Sequence, residues 1–349
     1  MNLSENPIYK ADINYLAELD LPWDNLKEKT ILLSGSTGQM GLCLIDTILL
    51  SNNKYHLNCN IVALGRNKEK AVSRFGCRLN SDFLNFVECD LNHLSINSFP
   101  KVDYIIHLAS STHPIAYATE PVDTILSNVV GTRNLLELMR LNKEGRFIFA
   151  SSNEIYGENR GDVELFNEDY CGYINCNTLR AGYPESKRCG EALCQAYLKQ
   201  YGVDAVIARF TRTYGPTILQ SDTKAISQFL QNGLAGEDII LKSSGNQFYS
   251  FCHITDAISG LLHVMLKGMT GEAYNIADID SDVTLYELAK MIADYFRKEV
   301  VYDLPSSEEA TGFSKATKAR LDGSKIKALG WKMKYGIAEG VKATLDVLK

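Results

Sequence analysis

Short runs that are almost wholly apolar recur along the first two thirds of the chain: TILLS from Thr30, NIVALG from Asn60, NFVECD from Asn85, VDYIIHLAS from Val102, RFIFASS from Arg146 and AVIARF from Ala205. Stretches with helical spacing separate them, among them LCLIDTILLS from Leu42 and VDTILSNVVGTRNLLELMRLN from Val122. Runs apolar on both faces suit strands of a parallel sheet covered on both sides. Strand-helix alternation with right-handed crossovers gives a doubly wound α/β sheet, the Rossmann arrangement. The long helix is expected to start with Thr119 as its cap and Pro121 in its first turn.

Three regions follow from this pattern. Residues 1–29 read as an N-terminal cap segment, with a helix over Asn14–Leu19 and a linker. Residues 30–215 read as the dinucleotide-binding domain, which a later segment near 250–270 rejoins. From Pro216 to Lys349 the alternation loosens, and TLYELAKMIADYF and the last twenty residues carry helices. This part is expected to be a smaller C-terminal α/β domain that binds substrate.

The turn after the first strand reads GSTGQMG, with Gly35, Gly38 and Gly41 as G-x-x-G-x-x-G and Ser36, Thr37, Gln39 and Met40 between them. Glycine permits the tight turn and close approach of a pyrophosphate to the backbone, and the following helix start offers free N–H groups. A lone glycine motif says little, but strand, turn and helix agree here. The second strand ends Gly65-Arg66-Asn67 with no carboxylate until Glu69. An acidic residue there would hold a ribose 2′-hydroxyl; Arg66 suits a 2′-phosphate, so NADP is favoured over NAD. Asp90, after the third strand, either touches the adenine or caps a helix. Leu91, and Leu108, Ala109 and Ser110 at the end of the fourth strand, complete the expected cofactor wall.

The fifth strand runs into Ser151, Ser152, Asn153 and Glu154, at the carboxyl edge where open α/β sheets bind ligands. About thirty residues on, Tyr183 and Lys187 stand one helical turn apart in GYPESK, on one helix face. Tyr-x-x-x-Lys alone is uninformative. After the glycine turn and a serine at a strand end it is specific. A neighbouring ammonium favours phenolate, which makes tyrosine a usable base.

These blocks, with HLAS at His107, NVVGTRNLLE at Asn128, SSNEIYG at Ser151, RFTRTYGP at Arg209, FCHITDA at Phe251 and RLDGSKIKALGW at Arg320, resemble the extended short-chain dehydrogenase/reductases, the NAD-dependent epimerase/dehydratase family, from about Thr30 to the C-terminus. The branch most resembled is that of UDP-glucuronate decarboxylases and sugar-nucleotide 4,6-dehydratases. The resemblance implies a nucleotide-sugar substrate, a tightly bound and recycled NAD(P), and transient oxidation of sugar C4. It implies Tyr183 as base, Lys187 on the nicotinamide ribose, Ser152 on the reacting hydroxyl and Glu154 near C5, where an ion-paired carboxylate is the alternative. It places Asn128 in a proton relay or in backbone packing, and Ser111, Asn153, Arg212, Tyr249 and Arg320 toward the substrate. Two positions depart from it: Arg212 stands where relatives often have Asn, and Tyr249 where they usually have Arg. Arg212 is expected to restore the missing charge from another strand. Asn153 in place of an acid counts against dehydration. C4 or C5 epimerisation and 4,6-dehydration remain alternatives to decarboxylation, with a net reductase or a non-catalytic nucleotide sensor further away.

Composition changes little. The 349 residues carry net charge −6 with no basic stripe, which argues against nucleic acid. No leader or spanning segment is evident, and nine scattered cysteines without C-x-x-C spacing suit reduced thiols, so a cytoplasmic, non-membrane location is expected. Six histidines lack metal spacing; His107, Cys189 and Cys252 read as packed residues, and no metal is expected. Apolar residues on a second side of two helices (Ile125, Leu126, Val129, Leu136; Ala192, Leu193, Ala196, Tyr197) suggest a homodimer through a four-helix bundle.

Overall fold

The computed structural model describes residues 3–349 apart from 111, 113–116, 118 and 305–315. Helix α1 spans Pro7–Ala17, ahead of the Asn14–Leu19 expected from sequence. The Asn6 side chain accepts from the Ile8 and Tyr9 amides and Pro7 takes the first position, a start signal stronger than the apolar run behind it. Then follow β1 (Thr30–Ser34), α2 (Gln39–Tyr55), β2 (Asn60–Gly65), α3 (Lys68–Phe75), β3 (Leu84–Glu88) and β4 (Tyr104–His107). Next come α4 (Pro121–Asn142), β5 (Arg146–Ser152), α5 (Gly182–Tyr201) and β6 (Asp204–Phe210). Pro121 opens α4 as expected, but Glu120 rather than Thr119 holds the N-cap position.

The rest of the chain forms β7 (Arg212–Tyr214), α6 (Ala225–Ala235), β8 (Ile239–Leu241), β9 (Phe248–His253), α7 (Ile254–Lys267), β10 (Ala273–Ile276), β11 (Asp282–Thr284), α8 (Leu285–Phe296), β12 (Val300–Tyr302), β13 (Lys318–Ala319), α9 (Ser324–Lys327) and α10 (Ile337–Leu348). Thr284 and Glu287 close a capping box on α8.

Seven parallel strands make the main sheet in the order β10-β6-β5-β4-β1-β2-β3, the doubly wound sheet that the apolar runs foretell. Alternation along β1 shows the two covered faces. Ile31 and Leu33 pack with Leu44, Ile48, Ile258 and Leu262 of α2 and α7; Leu32 packs with Leu135, Met139 and Cys194 of α4 and α5. Tyr9, Leu16 and Trp23 join the first cluster, so the N-terminal segment is part of the core. Beyond the sheet's carboxyl edge, β7, β11 and β13 gather on β9, and β8 pairs with β12. Tyr214, Phe229, Leu230, Phe251, Ile292 and Leu345 fill a separate core there. All nine cysteines are free thiols.

Candidate active site

The strand order reverses beside β1, where β2 and β4 leave in opposite directions, and a cleft opens there at the carboxyl edge. A cavity of about 490 Å³ runs from the β1–α2 turn to the ends of β5 and β7. At one end Gly35 has φ +71, and a Cβ on it would stand 2.7 Å from the Ala109 amide nitrogen. A Cβ on Gly41 would stand 2.4 Å from the Ser36 carbonyl oxygen, so both positions demand glycine. Gly38 holds the N-cap position of α2 and supplies no side-chain cap, which leaves first-turn N–H groups for an anion. Gln39 Nε2 is buried on this wall without a partner. An open glycine turn, uncapped amides and an orphaned amide donor fit a dinucleotide pyrophosphate.

Thr37, Met40, Arg66, Leu91, Leu108, Ala109 and Ser110 also line the cavity. Asp90 lines it and accepts from the Asn92 amide at 3.0 Å, the capping role of the two left open by sequence. Ser36 does not line it; its hydroxyl donates to the Leu64 carbonyl at 2.8 Å and ties the turn to β2. Asn128 stands behind the wall as well: its Nδ2 donates to Ser186 Oγ at 2.9 Å, and Ser186 donates to the Tyr183 carbonyl.

At the other end, Ser152, Asn153, Glu154, Tyr183, Lys187 and Arg212 share the cavity. Ser152 accepts from the Glu154 amide at 3.2 Å, which turns the chain sharply out of β5. Tyr183 and Lys187, in the first two turns of α5, are buried. Lys187 Nζ donates to the Ala150 carbonyl at 2.8 Å, and burial lowers its pKa to about 8 although Glu191 pulls it up. Burial raises the Tyr183 pKa well above the usual range, helped by Glu154, while the nearby hydroxyls of Ser152 and Tyr117 and the charge of Arg180 pull it down.

Arg180 and Tyr117 were not singled out from sequence. Arg180 donates through Nη2 to both Glu154 oxygens, at 2.6 Å and 2.5 Å, while its Nε and Nη1 are buried without partners. Glu154 is therefore the ion-paired carboxylate of the two alternatives in this state. Arg180 stands three residues before Tyr183, so its phase on the approach to α5 was the available signal. Tyr117 follows β4, at the edge where ligands bind, and that was its signal.

Arg212 on β7 lays its guanidinium over the Tyr249 ring, 3.4 Å from the centroid. Its Nη1 is buried without a partner, and burial lowers its pKa. Tyr249 itself is not on the cavity wall; it is buried beneath Arg212, with its hydroxyl donating to the Ala316 carbonyl. Arg320 is not on the wall either: its guanidinium donates to Asp282 at 2.6 Å and Glu164 at 3.0 Å. Ser111 lies outside the described residues. Among the described residues no cluster of His, Cys, Asp and Glu could hold a metal ion, and no helix is long and apolar enough to cross a membrane.

Residues 31–277 match the family model described as NAD dependent epimerase/dehydratase family. The chain belongs to that family. It is an enzyme of the NAD-dependent epimerase/dehydratase type. Among its relatives, UDP-glucuronic acid decarboxylase 1 of Danio rerio is 29% identical over 96% of this chain and 74% of its own length. UDP-glucuronic acid decarboxylase 6 of Arabidopsis thaliana is 33% identical over 70% of this chain and 68% of its own. The fold recurs in a dTDP-glucose 4,6-dehydratase from Streptomyces venezuelae solved with NAD, at TM-score 0.78 and 23% identity, covering 91% of this chain and 96% of that one. It recurs also in UDP-glucuronic acid 4-epimerase from Bacillus cereus solved with UDP-glucuronic acid and NAD, at TM-score 0.78 and 21% identity, covering 91% and 98%.

Proposed function

We propose that the protein is a nucleotide-sugar enzyme that transiently oxidises sugar C4 and acts as a decarboxylase on a nucleotide-linked uronic acid. The observation that carries this reading is the grouping of Ser152, Glu154, Tyr183, Lys187 and Arg212 in the cavity that also holds the glycine turn, with Arg180 paired to Glu154 from behind the wall. Arg180 pairs with Glu154 and Lys224 with Asp222, so Arg212 and Lys187 leave this end of the cavity with an excess of positive charge. A carboxylate on the sugar completes it.

The Gly35–Gly41 turn and the start of α2 would hold the pyrophosphate, and Lys187 the nicotinamide ribose. When bound, the dinucleotide supplies a hydride acceptor next to Tyr183. Tyr183 Oη takes the proton of the C4 hydroxyl, which Ser152 orients. A 4-keto group stands β to the carboxyl carbon of a uronic acid and makes loss of carbon dioxide easy. Arg212 holds that carboxylate until it leaves. The buried Asn153 supplies no acid for a C6 hydroxyl, and Glu154 is tied to Arg180, both of which speak against dehydration.

Incubation with a panel of nucleotide sugars, read by product mass, tests this. Loss of carbon dioxide from an acidic sugar is the expected result. Loss of water would mean dehydration, and an unchanged mass at a new chromatographic position would mean epimerisation; either overturns decarboxylation. The relatives solved with NAD support that dinucleotide, whereas Arg66 and Lys70 on the wall would suit the 2′-phosphate of NADP. Arg66→Ala should weaken NADP binding several-fold relative to NAD if the phosphate sits there; equal effects on both place Arg66 in solvent.

We also propose a homodimer through α4 and α5, supported by exposed Ile125, Leu126, Ala192 and Ala196. Of the stripe expected from sequence, Leu136 and Tyr197 are instead buried, facing the sheet side of these helices. Sedimentation of the purified protein at twice the chain mass is the expected result.

A further inference from the structure

The tyrosine at the centre of the site does not stand alone. Tyr117 stacks on Tyr183 with ring centroids 4.9 Å apart and planes 29° apart. The Arg180 guanidinium covers the Tyr117 ring at 4.5 Å, so guanidinium, Tyr117 and Tyr183 form one pile. Tyr117 is 5% exposed and lines the cavity. The cation that draws Tyr183 down is Arg180, while Lys187 is engaged with the Ala150 carbonyl and the face of Phe149 at 5.0 Å.

We infer that Tyr117 is a second catalytic residue: its hydroxyl donates to Tyr183 Oη and, with Ser152, stabilises the phenolate that accepts the substrate proton. The inference rests on the reading of Tyr183 as the base. A phenolate buried this deeply needs donors, because burial penalises its charge. Ser152 approaches from the end of β5 and Tyr117 from the segment after β4. Tyr117 keeps its own proton throughout: the proton that moves leaves the sugar hydroxyl and arrives on Tyr183 Oη, and the hydride departs to the dinucleotide. The charged and titratable groups around the pair are Glu154 after β5, Arg180 before α5, Lys187 on α5, Arg212 on β7 and Asp222 beyond it. Glu154 opposes the phenolate and Arg180 favours it, so the clamp between these two keeps the carboxylate's effect in check.

The test is Tyr117→Phe, which keeps the ring and the stack and removes only the hydroxyl. Two readouts are taken: the pH profile of kcat, and ultraviolet difference titration of tyrosinate on the protein without substrate, with Tyr183→Phe subtracted to isolate Tyr183. Both should move up by about one to two pH units, the size of a lost hydrogen bond to a charged group, with kcat recovering at alkaline pH. Unchanged profile and titration overturn the inference. Tyr117→Leu, which also removes the stack, should shift the titration at least as far; if it shifts while Tyr117→Phe does not, the ring and not the hydroxyl acts, and the inference falls. Turnover that survives Tyr183→Phe instead overturns the base assignment, an outcome the titration keeps separate from the role of Tyr117.

Discussion

The two ends of the cavity are built by different means. At the glycine end the binding groups are backbone: a turn forced by Gly35 and Gly41 and the open amides at the start of α2. They come from one continuous stretch. At the tyrosine end the groups are side chains from separate stretches: Ser152 at the end of β5 and Glu154 after it, Tyr117 after β4, Tyr183 at the head of α5 and Arg212 on β7, with Arg180 before α5 holding Glu154. One end is a local backbone device. The other is an assembly, and its electrostatics belong to no single segment.

Tyr183→Phe separates the two ends most sharply. Turnover should fall by about 10²–10⁴ with dinucleotide binding retained, since only the proposed base is lost. Binding is checked by titration of cofactor fluorescence, and lost binding would show that the ends are not independent. Gly41→Ala attacks the other end. Its new Cβ meets backbone oxygens of Ser36 and Gly35 at 2.4 and 2.6 Å, so the turn must move. Dinucleotide affinity should drop at least tenfold and stability by about 1–3 kcal/mol, as for a backbone forced off its geometry.

Arg212→Ala should raise KM for an acidic nucleotide sugar by about 10–100-fold with dinucleotide binding unchanged, the cost of one charge-assisted contact. Arg212→Lys should not restore it, because a lysine neither forks onto a carboxylate nor stacks as a plane on Tyr249. Substrate affinity equal to the parent in Arg212→Ala would break the proposed link between this cation and the sugar. The smallest effect concerns Lys187. Burial holds its pKa at about 8, below its ordinary 10.5. The unfolded chain therefore binds the extra proton between these values, and this group's contribution to stability rises with pH across that window. Lys187→Met should gain in melting temperature relative to the parent at about pH 7 and lose that gain by about pH 10. A constant difference would place Lys187 in contact with solvent.

Much of the first end was legible in the residues, because strand, glycine spacing and helix start sit side by side in the chain. Ser152, Tyr183 and Lys187 were legible for a related reason: a strand end and a helical i,i+4 pair give their placement. Tyr249 and Arg320, placed near the substrate by resemblance, lie off the wall, since each found a partner nearer in the fold, Arg212 above Tyr249 and Asp282 beside Arg320. Tyr117 lies in a stretch without periodicity, and no spacing rule reaches it.

The sequence by itself determined the doubly wound sheet, the turn that opens the cleft and the tyrosine-lysine pair, because each follows from periodicity or from what glycine alone permits. Only the tertiary structure decided that Arg180 clamps Glu154, that Tyr117 lies on Tyr183, and that Arg212 is carried by the residue standing in the usual arginine's place. The physical reason is that charges and hydroxyls act over a few ångströms through space, and residues far apart in the chain share that space only after the sheet has formed.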